Sequence, residues 1–100
     1  MAEGSKGVKR ERVIFTFSGR IVPDSFVAFA RHRAAKLDLP LAVLASDDSS
    51  VAVAVDGQVD LVDAFDMACS LGPHDCIVLD VERSPAPAAL FESRNERTGQ

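Results

Sequence analysis

The feature of this sequence that most constrains its fold is the order in which two hydrophobic periods follow one another. Patterns typical of strands, either alternation with period two or a short apolar run, occupy residues 12–19, 41–46, 51–55 and 76–82. Apolar residues at helical spacing, which indicate amphipathic helices, occupy residues 24–36 and 59–71. The predicted order is therefore strand, helix, strand, strand, helix, strand.

This order predicts a ferredoxin-like α+β sandwich. Split βαβ units arranged in this way form a four-stranded antiparallel sheet with both helices on one face. Right-handed crossovers then give the strand order 4-1-3-2. Capping and turn residues between the elements agree with this fold. Asp24 or Ser25 is a suitable N-cap, residues 47–50 (DDSS) suit a hairpin turn, and Gly72 with Pro73 ends the second helix.

Length and composition predict one domain. One hundred residues, 47% of them hydrophobic, are enough to form a single core. The N-terminus is rich in glycine and charge, and the C-terminus carries Pro85 and Pro87 before a polar end. We therefore expect a flexible N-terminus at residues 1–11, the folded domain at 12–83 and a largely disordered tail at 84–100.

Charge and cysteine content exclude several classes of function. A net charge of −4 and six aromatic residues, all Phe, argue against a nucleic-acid-binding protein. No apolar stretch is long enough to span a membrane. Cys69 and Cys76 lack CxxC spacing and suit a reducing compartment, and the sequence has neither a nucleotide-binding glycine loop nor zinc-ligand spacing. The sequence predicts a cytoplasmic protein with no cofactor, no metal, no nucleic-acid partner and no membrane partner.

Residues 18–26 (SGRIVPDSF) join the first strand to the first helix, where many proteins hold an anion. Together with residues 33–46 (RAAKLDLPLAVLAS), 47–57 (DDSSVAVAVDG) and 71–82 (LGPHDCIVLDVE), they make residues 13–85 resemble acylphosphatases. The resemblance implies hydrolysis of carboxyl-phosphate bonds. It also implies that backbone N–H groups of the loop and one arginine hold the phosphate, and that an asparagine orients the attacking water.

The chain departs from the family pattern where that chemistry resides. Val27 stands at the arginine position and Ala45 at the asparagine position. Pro23 removes a backbone N–H, and Asp24 places a carboxylate where a dianion would bind. The resemblance therefore implies an inactive, acylphosphatase-like binding module with no catalytic residue. Its relic anion loop would comprise Gly19, Arg20, Ile21, Val22, Asp24, Ser25 and Phe26.

Two other functions stay open on the sequence alone. A functional acylphosphatase with displaced catalytic groups would use Arg20 or Arg31 in place of the missing arginine. A regulatory domain of the amino-acid-sensing ferredoxin-like kind would bind a small ligand and dimerise. A catalytic Cys–His pair at His74 and Cys76 is disfavoured, and a buried or capping role is expected for these residues instead.

The sheet face away from the helices is predicted to be apolar. If Val51, Val53 and Val55 point to the helices, the alanines between them point away. The expected members of the open face are Ile14, Ala42, Leu44, Ala52, Ala54 and either Ile77 or Val78. Such a face is typical of a contact surface, so we expect it to bind an unknown protein partner, a second copy of the chain, or residues 85–91 (PAPAALF) folding back.

The exposed faces of the two helices differ in charge. The first carries basic residues and the second acidic ones: Arg31, His32, Arg33 and Lys36 against Asp60, Asp63 and Asp66. We interpret both as solvated faces that attract each other weakly, by roughly 0–1 kcal/mol per exposed pair.

Overall fold

The computed structural model describes residues 9–91, and its elements follow the predicted order. They are strand β1 (Arg10–Arg20), helix α1 (Pro23–Lys36), strands β2 (Leu41–Ser46) and β3 (Ser50–Gln58), helix α2 (Val59–Leu71) and strand β4 (Ile77–Pro85). A helical turn begins at residue 89. The predictions of a flexible N-terminus and a disordered tail fall partly on residues 1–8 and 92–100, which lie outside the described residues.

The four strands form one antiparallel sheet in the order β2-β3-β1-β4. This is the predicted order 4-1-3-2 counted from the other edge. Both helices lie on one face, because Phe15 and Phe17 of β1 share a face and contact different helices. The ring of Phe15 lies 5.8 Å from that of Phe65 in α2, and the ring of Phe17 lies 5.2 Å from that of Phe26 in α1. The ferredoxin-like α+β architecture is confirmed.

The core lies between this sheet face and the helices. Each of the four phenylalanines just named is fully buried. The β3 valines complete the sheet side, since Val51, Val53 and Val55 have no exposed surface. Their register opposite β1 places Val53 beside Phe15 and Val51 beside Phe17. Branched and aromatic pairs of this kind stabilise adjacent strands as well as the layer contact.

Helix α1 begins earlier than predicted. Its N-cap is Val22, which has no side-chain capping bond, and Pro23 takes the first helical position. Proline suits that position because its fixed φ is helical and its missing N–H needs no partner there. The predicted caps were wrong: Asp24 lies in the first turn, and the Ser25 hydroxyl donates to Asp75 instead.

One arginine joins the edge strand β4 to α2. The guanidinium of Arg83 lies 4.9 Å from the centre of the buried Phe15 ring. Its Nη2 donates to Asp63 at 2.9 Å and to Asp66 at 2.8 Å, while Nη1 lies 3.8 Å from Oε2 of Glu11, too far for a hydrogen bond. The bond to Asp66 is the main reason that the pKa of Arg83 is raised. Arg83 on the edge strand thus covers the ring of Phe15 on the neighbouring inner strand. Three carboxylates share the charge of its guanidinium.

Candidate functional site

The loop between β1 and α1 has the position of an anion cradle, but three of its backbone N–H groups already have partners. Gly19 N–H donates to the carbonyl oxygen of Ser49 at 3.0 Å, and Ile21 N–H donates to that of Asp48 at 3.1 Å. Val22 N–H donates to Sγ of Cys76 at 3.3 Å. A phosphate held by these three groups would have to replace their bonds, because each backbone N–H is a single donor.

Two of those partners are held in place by the turn between β2 and β3. Oδ1 of Asp47 accepts hydrogen bonds from the backbone N–H groups of Ser49 and Ser50, both at 2.9 Å, and from the Ser49 hydroxyl at 3.0 Å. These bonds favour the charged carboxylate and hold the pKa of Asp47 below its ordinary value, the Ser49 N–H being the largest cause. The turn therefore presents its carbonyl groups to the loop in a fixed geometry.

We expect the contribution of Asp47 to stability to depend on pH. Because folding lowers its pKa, the stabilisation is fully present above the ordinary value of 3.8 and is lost as the pH falls through the lower folded pKa. The free energies of unfolding that urea titration gives for the parent chain and for Asp47→Ala should therefore differ more at neutral pH than at pH values below that range. Asp48→Ala is the matched control, since the Asp48 side chain accepts none of the three bonds. If the free energy of unfolding of Asp47→Ala differed from that of the parent chain by the same amount at both pH values, the predicted role of the Asp47 carboxylate would be contradicted.

The opposite side of the loop carries a carboxylate and a thiol. The Ser25 hydroxyl donates to Oδ1 of Asp75 at 2.8 Å, and this bond is the main reason that the pKa of Asp75 is lowered. Sγ of the buried Cys76 lies 3.7 Å from the same oxygen. Asp24 adds a second exposed carboxylate in the first turn of α1. The electrostatics at this helix start therefore oppose a bound dianion.

The positions that the family resemblance marks as catalytic carry apolar side chains in this chain. Val27 is half-buried and packs against the core. Ala45 is exposed and lies opposite Ala52 in β3, next to the bulge at Leu44. Neither position offers a charged group or an amide to the loop.

The remaining loop residues divide into two groups. Ile21 and Phe26 are core residues, 5% and 0% exposed. Arg20 ends β1 opposite Ile77 and is exposed, and Val22 is 43% exposed. Arg31, the other possible substitute, is exposed on α1, one helical turn past Val27.

The open sheet face differs in part from its predicted composition. The register places Ile14, Ala42 and Ala54 side by side on the face away from the helices. Ala54 has no exposed surface and the other two are half-buried, so this stretch of the face is less accessible than the sequence suggests. Leu44 sits at the β2 bulge and is 41% exposed.

Sequence reasoning missed the partners of the loop. Cys76 was set aside as a nucleophile, yet its sulfur accepts the Val22 N–H across a separation of 54 residues. The other cysteine, Cys69, is fully buried, and burial raises its pKa to about 12, which makes it a poor nucleophile. Nothing in the local pattern links residue 22 to 76 or residue 21 to 48, so no sequence signal identified these contacts.

The described part of the chain offers no other obvious chemical centre. Within residues 9–91, no three His, Cys, Asp or Glu side chains converge to hold a metal ion. Over the same residues, neither helix has the length and apolar character needed to cross a membrane.

Comparison with known proteins identifies solved structures that share this fold. No family model and no protein of curated function matches the chain. Among solved structures, an acylphosphatase from Coxiella burnetii superposes with a TM-score of 0.71 and 21% identity, covering 87% of this chain and 90% of its own. An acylphosphatase from Bacillus subtilis gives a TM-score of 0.68 and 23% identity, covering 75% of this chain and 83% of its own.

A third similar structure is much larger. Full-length HypF, in its phosphate- and nucleotide-bound form, has a TM-score of 0.67 and 16% identity over 79% of this chain, which corresponds to 10% of HypF. At these identities the likeness concerns the fold. The chain therefore has the acylphosphatase-like fold, in which the loop from Gly19 to Phe26 has the position described above.

Proposed function

We propose that this chain is an acylphosphatase-like domain that does not hydrolyse acyl phosphates and acts as an interaction module. The observation that supports this most directly is the hydrogen bonding of the loop. The N–H groups of Gly19, Ile21 and Val22 donate to two carbonyl oxygens and one thiol of the chain itself. These three donors cannot stabilise a transferring phosphoryl group without first breaking their bonds within the chain.

The charges near the loop support the same proposal. Val27 and Ala45 supply neither the guanidinium nor the amide that the family chemistry requires, whereas Asp24 and Asp75 supply negative charge. Two like unit charges ~4 Å apart repel by about 1 kcal/mol in water and by several kcal/mol at lower effective dielectric. Such repulsion would act on the phosphoryl group in the bound substrate and in the transition state. Two buried, unpaired cysteines, Cys69 and Cys76, suit the reducing cytoplasm in which we place the protein.

The test is a hydrolysis assay with benzoyl phosphate, together with an amide NMR titration with inorganic phosphate. We expect the purified chain to leave the rate of hydrolysis in buffer unchanged, and the amide signals of residues 19–26 to stay in place. Hydrolysis that Arg20→Gln or Arg31→Gln abolishes would instead establish the alternative function, an acylphosphatase with displaced catalytic groups.

A double variant makes the assay sharper. Val27→Arg with Ala45→Asn installs the two missing side chains but leaves the loop hydrogen bonds as they are. We expect it to remain inactive, because the N–H groups of Gly19, Ile21 and Val22 still have partners within the chain. Gain of activity in this variant would show that the occupied amides are not what prevents hydrolysis, and would overturn the argument from the loop.

A further inference from the structure

The outer face of the two helices carries exposed apolar side chains that the fold does not use. Met67 and Leu71 lie one turn apart on α2 and are 70% and 83% exposed. With Arg33 of α1 they line a groove of about 610 Å³ between the helices. Large apolar side chains at this exposure, next to a charged rim, are typical of an interaction surface.

The charges of this face are divided between the helices. Arg31, Arg33 and Lys36 of α1 are exposed, as are Asp60 and Asp63 of α2. Within residues 9–91 the acidic side is neutralised only in part, because the guanidinium that contacts Asp63 is shared with two further carboxylates. A surface that is basic on one half and acidic on the other is complementary to itself when it is turned over.

The two helices are antiparallel, and their ends lie at matching heights along the common helix direction. Two residues are called level when they lie at the same height along that direction. Each follows a strand, and those strands, β1 and β3, are antiparallel. The start of α1 lies beside Cys76, just beyond the end of α2, and Leu39, just beyond α1, lies with Gly57 and Val62 at the start of α2. With equal rise per residue, Ala28 is level with Met67, and Lys36 is level with Asp60.

We propose that this helical face binds a second copy of the chain, around a two-fold axis parallel to the helices. Rotation about that axis places α1 of one protomer opposite α2 of the other. The rotation does not move any residue along the axis, so residues that are level within one protomer are also level across the contact. Met67 then packs on the partner's Ala28, an exposed small residue, and Lys36 faces the partner's Asp60. Because the contact is isologous, both pairs form twice.

Two other apolar surfaces, the edge strand β4 and the open sheet face, fit a second copy of the chain less well. Edge strand β4 exposes Ile77 and Leu79, at 54% and 75%, but a register shift opposite Gly19 and the proline at residue 85 interrupt the edge. Bulges and prolines of this kind protect an edge strand against pairing. The open sheet face offers small residues around the buried Ala54, and therefore little apolar area to a partner.

The expected dimer is weak. Helices of 14 and 13 residues are about 20 Å long, so the contact falls short of the ~800 Å² per partner of a standard interface. We expect a dissociation constant on the order of 10–1000 μM that rises with salt, since charge pairs form half of the contact. The inference builds on the proposed function by naming the partner of the interaction module. Hydrolysis and self-association are measured separately, so the failure of one is distinguishable from the failure of the other.

Sedimentation equilibrium over a range of concentrations tests the surface. Met67→Lys should raise the dissociation constant at least about tenfold, because it places a cation at the centre of the contact. Leu79→Lys is the matched control, since Leu79 has similar exposure but lies on β4, and it should leave the constant unchanged. A parent chain that stays monomeric at millimolar concentration would overturn the proposal. A dimer that Leu79→Lys or Ala52→Lys disrupts, and Met67→Lys does not, would overturn it as well.

A charge exchange tests the arrangement. Lys36→Glu and Asp60→Lys should each raise the dissociation constant about threefold or more at low salt, and the double variant should restore it. Restoration is expected because the two-fold axis brings residue 36 of each protomer to residue 60 of the other. Thermal unfolding of the dilute monomers shows whether each variant folds. A double variant that is weaker than both single variants would contradict this axis.

Discussion

Replacing Gly19 with alanine is expected to lower the free energy of unfolding by about 3–5 kcal/mol. A Cβ at this position would collide with the carbonyl oxygen of Ile77 and would lie 2.9 Å from the backbone nitrogen of Leu79. Both atoms belong to the backbone of β4, which cannot move aside as a flexible side chain can. The φ of +151° at Gly19 is also unfavourable for a residue with a side chain. The β1–β4 pairing should therefore separate at the bulge.

Urea unfolding measured by circular dichroism checks this prediction, and a second glycine provides the control. Gly72 ends α2 at a φ of +67°, but an added Cβ would meet its nearest neighbour, Cγ2 of Val78, at 3.5 Å. Gly72→Ala thus introduces backbone strain without a collision, and we expect a cost of about 1–2 kcal/mol. Equal losses for the two variants would mean that backbone strain, and not the contact with β4, determines the requirement at residue 19.

Replacing Phe17 with alanine is expected to cost about 3–5 kcal/mol, a large part of the stability of a domain of this size. Its ring is fully buried and lies 5.7 Å from Phe15 and 5.2 Å from Phe26. Truncation removes contacts on both sides and leaves a cavity between β1 and α1. Elements on both sides of the cavity are anchored by hydrogen bonds, so the core can collapse only in part.

The matched control for this variant is Phe29→Ala. Phe29 is half-buried, and its ring lies 5.4 Å from the guanidinium of Arg33 at the surface of α1. Solvent fills the space that its truncation leaves, so we expect a loss of about 1 kcal/mol. Chemical unfolding of both variants tests the difference. A loss at Phe29 as large as that at Phe17 would mean that the core extends farther across α1 than burial indicates.

The fold was predictable because its signals are local. Val51, Val53 and Val55 alternate with small residues, and this alternation predicted which face of β3 the helices cover. The boundaries were less predictable. Val22 and not Asp24 or Ser25 caps α1, because Pro23 satisfies the first position of the helix and Ser25 has a partner in Asp75.

For the candidate site, the sequence showed only which residue types occupy the positions that the family resemblance marks. Val27 and Ala45 are visible in the sequence as residues without a guanidinium or an amide. The sequence could not show that three of the loop amides are occupied, because their partners depend on where Asp48, Ser49 and Cys76 lie in space. The division of charge between the helices was also visible, whereas the levels of Met67 and Ala28 follow from the packing of α1 beside α2.

By itself, the sequence determined the order of strands and helices, the apolar face of each, and the residue types at positions 27 and 45. These properties depend on residues a few positions apart, since the periods of strands and helices repeat over two to four residues. Tertiary structure alone decided that Val22 N–H meets the thiol of Cys76, 54 residues away, and that Arg83 covers Phe15. Such contacts are selected by the packing of the whole domain, because many distant partners are chemically equivalent until the chain brings one of them within reach.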